Sequence, residues 1–386
     1  MIPHFRDALS GPGLAAIAEI KRRSPSAGEL RPDADPARLA ADFERAGAAA
    51  VSILVDERFA GSVDDLRAAR SATRLPLLAK GFFREERKLV ELEEAGANAV
   101  LLLLRDLDDR AARSLLDAAR HLGLDALVEA HDAEELERAV ALGADPIGLN
   151  ARDLGTFHVD RNAQLELVAQ APKDRLVVAE SGIGSRAQAA EAELAGADAV
   201  LVGSVLMRAA DPPAKLIDLI SRPLVKVCGL TRQEDVDVAA AAGADLAGFI
   251  LAEESPRQAE RVLDVPETML SVAVLVGEQQ ETTAALVQLY AREDGHRARD
   301  GGLYRGGCQV AKVLDQPWED RDPDHLRKAA AAEGRVLLAG GLSAENVGEA
   351  IAAVRPWAVD ASSSLELEPG IKDHDRIRAF VEAARC

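Results

Sequence analysis

The sequence predicts an α/β chain of two fused (β/α)8 barrels of the TIM type, the second shortened or irregular around its fifth and sixth units. Three observations predict it. A small-Gly-Ala turn motif returns at Ala46-Gly47-Ala48, Ala95-Gly96-Ala97, Leu142-Gly143-Ala144, Ala195-Gly196-Ala197 and Ala242-Gly243-Ala244, at intervals of 47 to 53 residues. The short runs behind these motifs are nearly continuous in apolar residues, as strands covered on both faces are. Near residue 222 the pattern starts again.

Each motif follows an amphipathic segment, so its glycine reads as the left-handed residue that ends a helix before a buried strand. The runs behind the motifs are Ala50–Val55, Ala99–Leu104, Pro146–Asn150, Ala199–Gly203 and Ala247–Leu251. Between them lie Leu14–Ile20, Leu75–Ala79, Ala126–Glu129 and Leu176–Ala179. Interleaved, they make eight strands before residue 204, followed by helical stretches such as Glu85–Glu94 and Ala133–Ala141. A doubly wound sheet would use the same elements, but eight evenly spaced units favour closure. The second set is Leu224–Val227, Ala247–Leu251, Leu270–Val276, Ala284–Tyr290, Gln309–Leu314, Arg335–Ala339 and Trp357–Asp360. Arg292–Cys308, rich in Gly, Arg and Asp, reads as a loop or hairpin. The expected domains are residues 1–221 and 222–386, with almost no linker.

Composition narrows the function. Of 386 residues 48% are hydrophobic, and no run nears the ~18 apolar residues of a membrane span. The 46 Lys and Arg against 65 Asp and Glu leave a net charge of -19, a field that repels nucleic acid and anionic membrane as partners. Cys228, Cys308 and Cys386 include no CxxC pair, which argues against a disulfide scaffold and a thiolate metal site. No histidine pair has HxxxH or HxH spacing, so the histidines read as surface residues and no metal is expected. Met1–Gly13 has neither a long apolar stretch nor a signal-type cleavage site, so a cytoplasmic protein is expected, and two short adjoining barrels favour a monomer.

Reactive groups of such barrels lie at the C-terminal ends of strands, where the βα loops form the open face. Those ends carry Glu19 and Lys21, Ser52 and Asp56, Lys80, Glu129, Asn150 and Arg152, Glu180 and Ser181, and Gly203-Ser204. Charges on apolar strands are costly unless paired or solvated, so lysines and carboxylates at successive ends of one mouth point to chemistry more than to structural ion pairs. Ser24–Gly28, Ser181–Gly184 and Gly203-Ser204 place small residues and backbone N–H groups after the first, seventh and eighth strands, where a barrel holds phosphate.

At this level of detail Ile17-Ala18-Glu19-Ile20-Lys21-Arg22-Arg23-Ser24-Pro25-Ser26, Leu78-Ala79-Lys80-Gly81-Phe82, Leu127-Val128-Glu129, Gly148–Leu154 and Ala179-Glu180-Ser181-Gly182-Ile183 resemble, in order, the motifs of indole-3-glycerol-phosphate synthase. The resemblance implies ring closure of 1-(2-carboxyphenylamino)-1-deoxyribulose 5-phosphate with loss of carbon dioxide and water, without cofactor or metal. It implies that Lys80 is the general acid on the substrate carbonyl and that Glu129 serves the proton transfers of dehydration. Lys21 would hold the departing carboxylate with Glu19 and Asn150 orienting it, and Glu180 and Ser181 would complete the catalytic pocket. Ser52, Phe59 and Arg152 are implied to contact substrate, and Ser24, Gly182, Gly203 and Ser204 to bind its phosphate. A lysine acid works with a pKa brought toward neutrality, which burial or Lys21 is expected to do to Lys80. Gly81 replaces the family's aspartate, and only Met1–Gly13 precedes the first strand, so support for Lys80 and the lid over the aromatic ring are expected to differ.

Val225-Lys226-Val227-Cys228-Gly229-Leu230-Thr231, Ser255-Pro256-Arg257, Leu338-Ala339-Gly340-Gly341-Leu342, Val359–Glu366 and Pro369–Asp373 resemble phosphoribosylanthranilate isomerase. Its Amadori rearrangement of N-(5-phosphoribosyl)anthranilate yields the synthase substrate. The resemblance implies Cys228 as general base, its thiol lowered by a helix N-terminus. It places Arg257 against the anthranilate carboxylate, Asp360 against substrate, and Gly341, Ser362 and Ser363 around phosphate. The family's sixth strand, ending in an acid aspartate before a glycine-rich loop, is not found between Leu314 and Arg335, and Asp315 or Asp320 is left for the acid. Tyr290 stands in place of a histidine. A synthase with a silent second barrel, or a phosphate-ligand-binding regulator, would share many of these features. Trp318 and Trp357 read as packing anchors.

Overall fold

The computed structural model describes residues 2–385 except 12, 154, 221–222, 294–295 and 316–323, so Asp320, Trp318 and Cys386 lie outside the described residues. Two units are formed, Met1–Gly184 with Ala189–Ile220, and Ser185–Gln188 with Ser221–Cys386. Among the described residues no helix is long and apolar enough to cross a membrane.

The first unit closes eight parallel strands, β1 (Ala15–Ile20), β2 (Ala50–Leu54), β3 (Leu77–Lys80), β4 (Ala99–Leu103), β5 (Asp125–Ala130), β6 (Ile147–Asn150), β7 (Val177–Glu180) and β8 (Ala199–Val202), with β8 beside β1. Alternation on each strand splits the core. Ile17, Ala50, Leu78, Leu101, Leu127, Val178 and Leu201 fill the interior, while Ala18, Val51, Ala79, Val100, Val128, Ala179 and Val200 pack under the helices. The short helix Phe5–Leu9 sends fully buried Phe5 and Leu9 into the interior cluster. Arg6 ties it to the N-terminal ends of the strands, its backbone N–H donating to Asp125 and its Nε to Asp145. The segment before β1 is therefore a floor plug.

The repeat does what its glycines require. Gly47, Gly96, Gly143, Gly196 and Gly243 all have left-handed φ, between 74° and 118°. Helices begin where Asp35, Ser62, Asp108, Asp132 and Asp160 accept hydrogen bonds from first-turn N–H groups.

The second unit is also a closed eight-stranded barrel, in chain order β9 (Leu224–Cys228), β10 (Leu246–Ile250), β11 (Leu270–Val276), β12 (Leu286–Glu293), β13 (His296–Arg305), β14 (Cys308–Asp315), β15 (Val336–Ala339) and β16 (Ala358–Ala361). It corrects two expectations. Residues 296–305, read as part of a loop or hairpin, are a barrel stave that runs antiparallel to both β12 and β14. The cause is connection length: Gly306 and Gly307, at φ 54° and 79°, make a two-residue turn, whereas a parallel crossover needs a dozen residues or more. Counting this stave makes Cys308–Asp315 the sixth strand, paired with β15, so a sixth strand ending in an aspartate is present after all. The (β/α)8 pattern is also incomplete, because the described chain carries no helix between β10 and β11 or between β11 and β12. Helices Gln233–Ala242, His325–Ala330, Val347–Val354 and His374–Arg385 follow β9, β14, β15 and β16.

Candidate active sites

The C-terminal ends of β1–β8 surround a cavity of about 830 Å³ lined by Glu19, Lys21, Ser24, Phe59, Lys80, Glu129, Asn150, Arg152, Ser181, Gly182, Gly203 and Ser204. Lys80, the last residue of β3, extends inward and its Nζ lies 2.5 Å from Glu180 Oε2 and 3.6 Å from both Glu19 and Glu129. Glu19 bridges two cations, since Lys21 Nζ donates to its other oxygen at 2.6 Å. Asn150 Nδ2 donates to Glu129 Oε1 at 2.9 Å, and Asn150 Oδ1 accepts the Arg152 backbone N–H. Two glycines leave room for these carboxylates: a β-carbon at Gly148 would run into Glu180 Oε1, and one at Gly203 into Glu19 Oε1.

Two placements differ from the sequence reading. Ser52 is fully buried in register with Glu19, its hydroxyl without a partner among the described residues, and it does not line the cavity. It lies below the mouth. Glu180 is likewise no part of the wall, being fully buried beneath Lys80. Phe59 does line the cavity, beside Arg58 whose guanidinium stacks 3.6 Å from the Phe82 ring centroid. At Gly81 a β-carbon would press on the Phe83 ring at 2.9 Å.

Electrostatics overturn the expected state of Lys80. Burial lowers its pKa, but Glu180, Glu19 and Glu129 outweigh burial and hold the ammonium well above the ordinary lysine value. Lys21 acts on Glu19, where burial is opposed by both lysines and the carboxyl is held down. Glu129 is held down to about 2, because Lys80, His131 and Asn150 outweigh its burial. Glu180 is pushed up to about 8 by burial and by Glu129, against the pull of Lys80.

His131, set aside from sequence as a surface residue, belongs to this group. Its Nε2 lies 3.1 Å from Glu129 and its Nδ1 3.0 Å from Glu135. Burial opposes protonation, yet the two carboxylates push it up to about 9. The signal was its spacing of two from Glu129.

At the rim, Ser181 and Gly182 follow β7 with left-handed φ of 67° and 71°. Ser24 Oγ lies 3.2 Å from Ser26 Oγ and accepts the Ala27 N–H. Gln164 braces the loops from below, its amide donating to the carbonyls of Leu149 and Glu180. Small residues and turned backbone thus face one side of the cavity.

In the second unit a cavity of about 490 Å³ is lined by Cys228, Arg257, Gln288, Tyr290, Arg297, Asp315, Gly341, Asp360, Ser362 and Ser363. Gly340 and Gly341 have left-handed φ of 100° and 64°. Cys228 ends β9, and its thiol is pushed up by burial and Asp360 more than Lys226 pulls it down, contrary to the expected lowering. Two residues earlier on the same face, Lys226 is fully buried and donates to Asp360 at 2.8 Å and Gln288 at 2.9 Å. Asp360 is thereby a partner of Lys226, and burial still raises its pKa. Arg257 is held by Glu366, both carboxylate oxygens lying within 2.9 Å of its Nε. Lys372 donates to the same Glu366 and to the Ser362 carbonyl. Lys226, Gln288 and Arg297 were not singled out from sequence; the spacing of Lys226 from Cys228 was the available sign.

Both sites are mouths of closed barrels that gather acidic, basic and cationic groups at strand ends, the arrangement of enzymes. The family description "Indole-3-glycerol phosphate synthase" matches residues 2–219, and "N-(5'phosphoribosyl)anthranilate (PRA) isomerase" matches residues 321–383. Over 99% of this chain and 87% of the relative, the sequence is 34% identical to the tryptophan biosynthesis protein TrpCF of Yersinia pestis. Over 55% of the chain and 80% of the relative, it is 49% identical to indole-3-glycerol phosphate synthase of a Nocardioides strain. A solved TrpF from Jonesia denitrificans overlaps 42% of this chain and 97% of its own, at 28% identity and a TM-score of 0.34. The chain belongs to the bifunctional indole-3-glycerol phosphate synthase and phosphoribosylanthranilate isomerase family of tryptophan biosynthesis, a lyase joined to an isomerase.

Proposed function

We propose that the first mouth closes the indole ring of 1-(2-carboxyphenylamino)-1-deoxyribulose 5-phosphate through Lys80. The observation that carries this reading is the Lys80 ammonium held between Glu19, Glu129 and Glu180 at the cavity floor. Kept charged, it meets the ketone oxygen as a proton donor while the new carbon–carbon bond forms. Lys21 offers a second positive charge to the carboxylate that leaves as carbon dioxide. Glu129, ionised and oriented by Asn150 and His131, takes the proton removed in dehydration. Glu180 acts from beneath on Lys80. Arg152 contacts substrate, and Ser24, Gly182, Gly203 and Ser204 receive phosphate.

In the second mouth, Asp315 protonates the ribose ring oxygen of N-(5-phosphoribosyl)anthranilate and Cys228 removes the neighbouring proton. Arg257 faces the anthranilate carboxylate after leaving Glu366, and Gly341, Ser362 and Ser363 hold phosphate. A cytoplasmic monomer of domains 1–221 and 222–386 completes the reading.

Lys80→Ala tests it. The expected result is loss of indole-3-glycerol phosphate formation with an unchanged circular dichroism spectrum; turnover near that of the unsubstituted chain would defeat the mechanism.

A further inference from the structure

Asp315 is gripped on one side only. Its Oδ2 accepts a hydrogen bond from Tyr290 Oη at 3.1 Å and another from Arg297 Nη1 at 2.8 Å, while among the described residues Oδ1 accepts none. The grip is itself braced. Gln288 Nε2 donates to Tyr290 Oη at 2.6 Å, so the tyrosine hydrogen is directed at Asp315, and Gln288 Oε1 is fixed by Lys226. The Arg297 guanidinium lies 4.2 Å from the Tyr290 ring centroid.

The altered topology makes this grip. An antiparallel stave turns its N-terminal end to the mouth, and Arg297 is the second residue of β13. Gly301 stands opposite Tyr290 in the ladder, where a β-carbon would lie 2.9 Å from the ring. A strand with a side chain there would push the tyrosine off its place.

We propose that Tyr290 and Arg297 are positioning residues of the isomerase reaction, which occupy Asp315 Oδ2 and so leave Oδ1 as the oxygen that carries the acid proton to the substrate. This rests on the reading of Asp315 as proton donor. In the step, the O–H bond at Oδ1 breaks as an O–H bond forms on the ribose ring oxygen. The carbon–oxygen bond of the ring opens and the anthranilate nitrogen lone pair forms the C=N bond. The carboxylate left behind keeps the two donors on Oδ2.

The groups facing Asp315 are Tyr290 on β12, Arg297 on β13 and, by its charge, Asp360 on β16, which Lys226 of β9 partners; the paired residue on β15 is Ala339.

The experiment measures isomerase kcat and KM on the full chain, with synthase turnover followed in the same preparations. Tyr290→Phe is expected to lower kcat about 10-fold, and Arg297→Ala about 10²-fold, with KM within about 2-fold. Arg297→Lys, which keeps a cationic donor to Asp315, is expected to restore part of that rate. If Asp315→Asn keeps its isomerase turnover, the proton-donor reading falls and this inference with it. If Asp315→Asn is inactive while Tyr290→Phe and Arg297→Ala keep full kcat, only the positioning inference is overturned. Lost turnover in Arg297→Ala with no rescue by lysine, or with KM raised as much as kcat falls, overturns it too.

Discussion

The first mouth is floored by three carboxylates around one lysine, each delivered by the end of a parallel strand. The second buries a single lysine against Asp360 and takes one of its cavity cations, Arg297, from a strand running the other way. The difference shows how strand direction governs which residues reach a mouth. Parallel strands offer their last residues, so chain order reads directly as a ring. One reversed strand offers its first residues, and a stretch with no parallel-strand pattern becomes part of the site.

If the mouths work independently, they separate cleanly under substitution. Lys80→Ala should abolish synthase turnover and spare the isomerase, while Cys228→Ala should lower isomerase turnover by at least ~10² and spare the synthase. Separate assays on the two substrates measure this, and a joint loss from either change breaks the comparison. Next in size is Lys226→Met, which strips a buried Asp360 of its partner and should destabilise the second unit by about 3 kcal/mol in urea unfolding. An unchanged midpoint would mean that the Lys226–Asp360 ion pair adds nothing to the stability of the folded chain. Gly148→Ala should lower synthase kcat about 10-fold with little change in KM, because the new methyl group displaces Glu180 from beneath Lys80.

The smallest effect concerns pH. His131 is near 9 in the folded chain and near 6.5 when unfolded, so the folded state binds the extra proton between those values. Its stabilisation is complete below about pH 6.5 and is lost as pH rises through about 9. Glu180, raised to about 8, slopes the same way, so the comparison must be with His131→Asn. The difference between the two chains in urea midpoint should shrink over that range; a constant difference would remove the Glu129–His131 charge interaction.

Strand ends were readable where the apolar run stopped at a polar residue, as at Lys80, Glu129 and Asn150. Ser52 misled because its strand continues to Leu54, which leaves the serine one layer too deep. His131 was passed over because its spacing of two from Glu129 and four from Glu135 is no histidine metal-ligand spacing, although both carboxylates are near it in the chain. In the second half, β13 escaped because Arg, Asp and Gly leave little apolar signal in a strand that buries few of its residues.

By itself the sequence determined the two closed barrels, since the glycine-marked helix ends and doubly buried apolar runs recur with the period that βα units impose. It also determined that the polar strand ends of the first half share one mouth. Only the tertiary structure decided the protonation of Lys80 and Cys228 and the direction of β13. Charge states depend on the sum of burial and every neighbouring charge, and strand direction depends on which partners close the ring; neither is a property of a local stretch of chain.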